Sequence, residues 1–216
     1  MSLLDPSETF SSLAENVGLD VRLIKAVQRL GHVRPTLVQA KCLPLALTSG
    51  RDLLVRAKTG SGKTLAYCLP LLQKIILAKD SNPKDHVVRA VILVPTRELC
   101  VQVHTTLQTL VYYCNDIISL AVLSAARGKT EKALQDLARQ QAMLRDRPDV
   151  IVATPAGLLT HLQAGDVDLK TSVETLVVDE ADLVLSFGES SWSSFSESPV
   201  RPNSFCANTS LIIIIP

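Results

Sequence analysis

Arg56-Ala57-Lys58-Thr59-Gly60-Ser61-Gly62-Lys63-Thr64 follows the apolar run Leu53-Leu54-Val55 and precedes a helical pattern that begins at Lys63. The order strand, glycine-rich loop, helix predicts a loop that wraps a polyphosphate in backbone N–H groups, with Gly60 and Gly62 allowing close approach. Lys58, Thr59 and Ser61 fill out the loop. In that reading Lys63 reaches the outer phosphates and the Thr64 hydroxyl holds Mg²⁺. The strict pattern G-x-x-x-x-G-K-[ST] has one exception, Ala57 where the first glycine should stand. A flexible Gly/Ser surface turn is the plain alternative. The G-K-T ending in a strand-to-helix setting favours a nucleoside triphosphate site.

Outward from the loop, short aliphatic runs alternate with longer helical patterns. Strands are predicted at 53–55, 91–94, 118–123, 150–152 and 176–178. Helices are predicted at 63–77, bent or interrupted at Pro70, at 97–111, at 131–144 and after Pro155. Continuous β-branched runs between amphipathic helices imply strands buried on both faces. The fold expected is therefore α/β, a parallel sheet with helices on each side. Ligands of such sheets sit at the carboxyl ends of the strands. From Ser186 the texture changes to GESSWSSFSESPVRPNSFCANTS, which has neither period and reads as a disordered tail. The closing Leu211-Ile212-Ile213-Ile214-Ile215 would suit a buried or aggregation-prone strand.

Composition bounds the functions open to the chain. At 216 residues it can bury one good core, and Lys+Arg 22 against Asp+Glu 21 leaves no broad basic footprint. Nucleic-acid binding must then come from a local, organised surface. Cys42, Cys68, Cys100, Cys114 and Cys206 are scattered and never form C-x-x-C, which suits reduced thiols rather than a disulfide or zinc framework. The N-terminus MSLLDPSETF has no basic stretch followed by an apolar core, so no signal peptide is expected. Gln73 and Lys74 break the best apolar run, so no membrane span is expected either. An intracellular, soluble protein follows from these readings.

Val177-Val178-Asp179-Glu180-Ala181-Asp182 is the second strong signal. Alone, carboxylates at a strand end are usually solvated loop residues. Downstream of a phosphate loop in the same α/β unit, they supply what an Mg²⁺-nucleotide site needs: Asp179 for the metal and Glu180 to polarise the attacking water.

D-E-A-D after a strand, together with A-K-T-G-S-G-K-T, resembles the DEAD-box RNA helicases from about Leu13 to Gly188. Pro95-Thr96-Arg97-Glu98-Leu99 and Thr154-Pro155-Ala156-Gly157 resemble the family's two RNA-contacting motifs. Arg34-Pro35-Thr36-Leu37-Val38-Gln39 resembles its adenine-recognising Q motif. The resemblance accounts for Ala57, since the family uses A-x-T-G-x-G-K-T. It implies a RecA-like fold, ATP and Mg²⁺ as cofactors and RNA as partner. Residues 34, 39 and 57–64 would hold the nucleotide. Pro95, Thr96, Arg97, Thr154, Pro155 and Gly157 would meet RNA. A Gln39 carboxamide can match the adenine edge, although a helix-surface glutamine is the plain reading. Thr96 and Thr154 can equally be helix caps, and a capped helix start is also a phosphate site. A P-loop ATPase without nucleic acid is disfavoured by the PTREL and TPAG motifs.

The finer likeness, DEADL-x-LSFG with R-P-T-L-x-Q and Ser124-Ala125-Ala126 in place of a double glycine, is to nucleolar members that assemble the large ribosomal subunit. It implies pre-ribosomal particles as partners and the nucleus, specifically the nucleolus, as location. No oligomer is expected. Two positions depart from the family. The aromatic expected four residues before Gly18 is Ala14, leaving Phe10 as the nearest ring, and the residue after Gly31 is His32. The expected organisation is a flexible segment at 1–12, the ATP-binding RecA-like domain at 13–188 and a divergent tail at 189–216. Because the second RecA-like domain and its arginine are not recognisable here, these residues alone are expected to be a nucleotide- and RNA-binding fragment with little activity.

Overall fold

The β-branched runs become strands of one parallel sheet. The computed structural model of the chain describes residues 4, 5, 7–48, 52–125, 130–186 and 210–215. Helices α1 (Phe10–Val17), α2 (Val21–Arg29) and α3 (Leu37–Thr48) come first. Then follow β1 (Leu53–Arg56), α4 (Lys63–Ser81), β2 (Ala90–Leu93), α5 (Arg97–Leu110), β3 (Leu120–Leu123), α6 (Glu131–Arg145), β4 (Val150–Ala153), α7 (Pro155–Ala164), β5 (Thr175–Val178) and α8 (Ala181–Ser186). A last strand, β6, spans Ser210–Ile215. The strand order is β1-β6-β5-β2-β4-β3, and every pairing is parallel.

Strands β2, β4 and β5 are buried at every position. That is why they read as unbroken apolar runs rather than as alternation. Successive residues still point to opposite faces. Ile92, Val152 and Val177 join the core beneath α1, α2, α4 and α5, while Val91, Leu93 and Ile151 join a second core with Leu158 of α7 and Val184 of α8. Each of β1, β2, β4 and β5 leads at its carboxyl end into a helix start. One edge of the sheet thereby collects the N-termini of α4, α5, α7 and α8, the α/β expectation in full.

Three expectations are corrected. The segment 1–12 was expected to be flexible, but α1 begins at Phe10, which is 2% exposed and donates its N–H to Val33 O. Asp5 N–H also bonds Pro35 O, and Leu4 pairs with Thr36. Next, α4 runs through Pro70 without a break, just as α3 contains Pro44. The missing hydrogen bond and ring clash cost about 3 kcal/mol. Leu69, Leu71, Leu72, Ile75 and Ile76 are all buried around that turn, and their packing outweighs it. Finally, the expected tail at 189–216 does not extend to the closing isoleucines, because 210–215 is a strand inside the sheet. Residues 187–209, including Cys206, lie outside the described residues. Cys42, Cys68, Cys100 and Cys114 are buried thiols. No helix among the described residues is long and apolar enough to cross a membrane.

At the opposite edge of the sheet, Lys79 Nζ lies 2.8 Å from Asp149 Oδ1, with the side chains 3% and 1% exposed. Asp149 Oδ1 has no hydrogen-bond partner among the described residues, so this is a charge contact. Ser119 satisfies the other oxygen through its N–H and hydroxyl, and Lys79 donates to Asp85 O. Removing one partner leaves an uncompensated buried charge. Lys79→Met is therefore expected to cost about 3–5 kcal/mol of stability, read as a fall in the urea midpoint at unchanged slope.

Candidate nucleotide site and nucleic-acid face

The phosphate loop lies between β1 and α4. Its entry is tied to the sheet by the Ala57 N–H, which donates to Ile215 O of β6 at 3.2 Å. Gly60 and Gly62 adopt the left-handed region at φ 78° and 85°. At Gly62 a Cβ would also stand 2.5 Å from Gln39 Nε2, so only glycine fits. No side chain caps α4, which leaves the first-turn N–H groups and the positive end of the helix for an anion. The Ser61 hydroxyl is buried without a partner among the described residues. Lys63 is 8% exposed and donates to Ala57 O at 2.5 Å. An orphan hydroxyl, an uncapped helix and a buried cation suit a polyphosphate. Ala57, Lys58, Thr59, Gly60, Ser61, Gly62, Lys63 and Thr64 all lie on this turn.

Asp179 ends β5 beside it. Its N–H donates to Leu93 O, while its carboxylate accepts from Tyr67 Oη at 2.9 Å and from the Glu180 N–H at 2.9 Å. Burial pushes the Asp179 carboxyl above the usual range; the Tyr67 and Glu180 hydrogen bonds and the Lys63 charge pull it back. Burial likewise raises the Tyr67 hydroxyl. Tyr67 thus ties α4, which also carries Thr64, to Asp179; Thr64 and Asp179 are the two residues expected to hold metal. No group of three or more His, Cys, Asp or Glu side chains forms a cage among the described residues. One carboxylate and one hydroxyl fit Mg²⁺, which keeps waters and arrives with nucleotide phosphates. Glu180 has φ 48°, left-handed for a non-glycine residue, the backbone strain typical of functional turns. Its carbonyl accepts from Leu183 and Val184 N–H groups and starts α8.

Gln39 is not on a helix surface. It is 4% exposed, and with Thr36 it forms a reciprocal cap of α3: Thr36 N–H donates to Gln39 Oε1 at 2.9 Å and Gln39 N–H to Thr36 Oγ1 at 3.3 Å. Its Nε2 donates to Gly62 O at 3.1 Å, tying the Q-motif helix to the phosphate loop. One N–H and one carbonyl lone pair remain for a base edge. Arg34 and His32 are exposed, whereas Phe10 and Ala14 belong to the core.

Farther along the same edge, α5, α6 and α7 begin around a cleft of about 610 Å³. Each start carries a threonine cap. Thr96 Oγ1 accepts from Leu99 N–H, Thr130 Oγ1 from Ala133 N–H and Thr154 Oγ1 from Gly157 N–H. Pro155 stands at the first helical position of α7, where its missing N–H costs nothing. Pro95, Thr96, Arg97, Thr154 and Pro155 line the cleft. Gly157 is buried and its N–H is used in the cap, so it offers no free donor. Its role is steric, since a Cβ there would stand 2.7 Å from Ser124 Cα. Arg97, largely exposed, lies 3.5 Å from Asp136.

Residues 36–202 match the DEAD/DEAH box helicase family, well over half of the chain. The chain belongs to the DEAD/DEAH box helicase family. It is 45% identical over 187 residues to the probable ATP-dependent RNA helicase ddx56 of Dictyostelium discoideum, covering 86% of this chain and 25% of that protein. It is also 45% identical over 174 residues to the ATP-dependent RNA helicase DBP9 of Coccidioides immitis, covering 81% and 27% respectively. The chain spans about a quarter of the length of these relatives.

Within this DEAD/DEAH domain several site residues carry no advance signal in the sequence. Tyr67 sits in an apolar helical run and reaches the Asp179 carboxylate only because α4 passes beside the end of β5. Thr130 and Asp136 reach the cleft through α6, whose sequence shows only helical spacing. Thr36 was legible, since T-x-x-Q before an apolar run marks a capping box.

Proposed function

We propose that these residues form the ATP-Mg- and RNA-binding part of an ATP-dependent RNA helicase that remodels RNA. The observation that carries this reading is the Tyr67–Asp179 hydrogen bond at 2.9 Å, which ties α4, the helix that starts uncapped after the phosphate loop, to a buried carboxylate at the end of β5. Lys63 and the first-turn N–H groups bind the phosphates, and Gln39 with the Arg34 segment meets the adenine. Thr64 and Asp179 would hold Mg²⁺, which neutralises charge on the phosphate oxygens when bound. Glu180 orients and polarises the attacking water. Thr96, Arg97 and Thr154 meet RNA phosphates, the threonines through hydroxyl hydrogens left free by capping. By the subgroup likeness, the RNA lies in pre-ribosomal particles of the nucleolus.

Base choice tests the nucleotide half. Bidentate contacts to a base edge are worth about 1–3 kcal/mol, so ADP should be preferred over GDP by about 5- to 150-fold. Gln39→Ala will lower affinity for both nucleotides, because it also frees Gly62, but the diagnostic result is loss of the preference. Equal binding of ADP and GDP by the parent chain would refute the Q-motif role.

Turnover tests the catalytic half. The resemblance assigns an arginine to a second RecA-like domain, and such arginines are worth about 10³–10⁵ in rate. Purified on their own, these 216 residues are expected to hydrolyse ATP far below the ordinary enzyme range of about 1–10³ per second, with no stimulation by single-stranded RNA. RNA-stimulated turnover in that range, abolished by Glu180→Gln, would show a self-sufficient enzyme instead of a binding part.

A further inference from the structure

The cleft between α5, α6 and α7 contains a polar chain that the nucleic-acid motifs do not include. Ser124, just past the end of β3, is 9% exposed and borders the cleft with Ala125. Gln140 of α6, 8% exposed, grips the Ser124 backbone at both ends: Ser124 N–H donates to Gln140 Oε1 at 2.9 Å, and Gln140 Nε2 donates to Ser124 O at 3.2 Å. Behind Gln140 stands His161 of α7, 1% exposed, whose Nε2 faces Gln140 Oε1 at 3.4 Å. His161 Nδ1 lies 2.8 Å from Asp166 Oδ2, and Gln141 Nε2 donates to the same carboxylate. From the other side, the Thr154 N–H donates to Leu123 O at 3.1 Å and Gly157 presses against Ser124 Cα.

We infer that Gln140, held by His161 and Asp166, is a positioning residue that sets the Ser124–Ala125 backbone as part of the phosphate-binding wall of the cleft. The inference rests on the RNA-binding reading above. An apolar side chain at 140 would fill the same space without the cost of burying a carboxamide. The carboxamide does what an apolar group cannot, holding both polar groups of one residue as a neighbouring strand would. Ser124 and Ala125 both line the cleft, and among the described residues neither the Ser124 hydroxyl nor the Ala125 N–H has a hydrogen-bond partner. Groups of this kind contact nucleic-acid phosphates and fix register without reading sequence. Asp166 anchors the far end, its carboxyl held below the usual range chiefly by the His161 hydrogen bond.

The test uses Gln140→Met, which keeps the length and removes the grip, in the full chain. Three quantities are read: affinity for a fluorescent uridine-rich single-stranded RNA, affinity for Mg-ADP, and hydrogen exchange at the Ser124 amide. The expected result is RNA binding about tenfold weaker, the size of one charge-assisted hydrogen bond, with Mg-ADP affinity unchanged and Ser124 exchange accelerated. His161→Gln, which keeps a polar group toward Gln140 but loses Asp166, should shift RNA affinity the same way by less; it serves as the deciding variant if Gln140→Met does not fold. RNA affinity equal to the parent's in a folded variant with faster Ser124 exchange overturns the inference and leaves the RNA reading standing. A parent chain that binds Mg-ADP but no RNA overturns the RNA reading itself, and the inference with it.

Discussion

A chain ended after residue 209 is expected to lose its cooperative fold, although the residues removed follow a Ser-rich stretch and carry none of the family's motifs. Ser210–Ile215 is an interior strand that pairs with β1 through Leu53↔Ile212 to Arg56↔Ile215 and with β5 through Thr175↔Ser210 to Val178↔Ile213. Without it, β1 has no neighbour in the sheet, and the phosphate loop that follows β1 loses its connection to Asp179. Ile212 and Ile214 are 5% and 1% exposed, and burying each contributes about 1.5–3 kcal/mol. Together with the two ladders, this approaches the whole net stability of a typical domain, about 5–15 kcal/mol. The side-chain contacts add to it: Leu211 N–H donates to Asp52 Oδ1 and Lys74 Nζ to Ser210 Oγ. Thermal melting of the full and shortened chains decides the matter. The point variant Ile214→Ala should lower stability by about 2–5 kcal/mol while leaving a folded protein to measure. Equal melting temperatures for the full and shortened chains would mean that β6 is not part of the working fold.

Much of the architecture was legible because its signals are local. Strand 53–55, the glycine-rich loop and the helix from Lys63 announce themselves within a dozen residues, and strands β2, β4 and β5 show the unbroken apolar texture of two-sided burial. The rest depends on contacts between distant parts of the chain. The isoleucines at 211–215 read as a strand, but nothing in them says that they insert between β1 and β5; pairing partners are set by the whole sheet. Pro70 signals a helix break because local rules count only its lost N–H, not the buried leucines around it. Gln39 was assigned to a base edge by resemblance. Its structural work, capping α3 and holding Gly62 O, follows from the distance between two segments separated by β1. At Gly157 the Thr154 hydroxyl takes the N–H, and glycine is required for the close approach to Ser124, a contact between segments that the sequence does not show.

Lys63→Met is expected to remove most nucleotide binding while leaving the fold intact. Lys63 donates to Ala57 O, its stem enclosed at the base of the loop. Methionine keeps that stem and discards only the charge, so packing is preserved better than in Lys63→Ala. Three favourable effects disappear together. The charge-assisted hydrogen bond to phosphate is worth about 1.5–3 kcal/mol, or roughly 10- to 150-fold in affinity. The positive charge also adds to the field of the uncapped α4 terminus, which alone favours an anion more weakly. Lys63 moreover helps to keep Asp179 ionised against burial, and without it the carboxylate is less ready to take Mg²⁺. The loss should therefore reach or exceed the upper end of that range for Mg-ADP, and it should be smaller for ADP measured without Mg²⁺, where the Asp179 contribution is absent. Calorimetric titration of both ligands into parent and variant measures each part. A folded Lys63→Met protein with parental Mg-ADP affinity would remove the phosphate loop from the nucleotide site and, with it, the ATP-dependent reading of this domain.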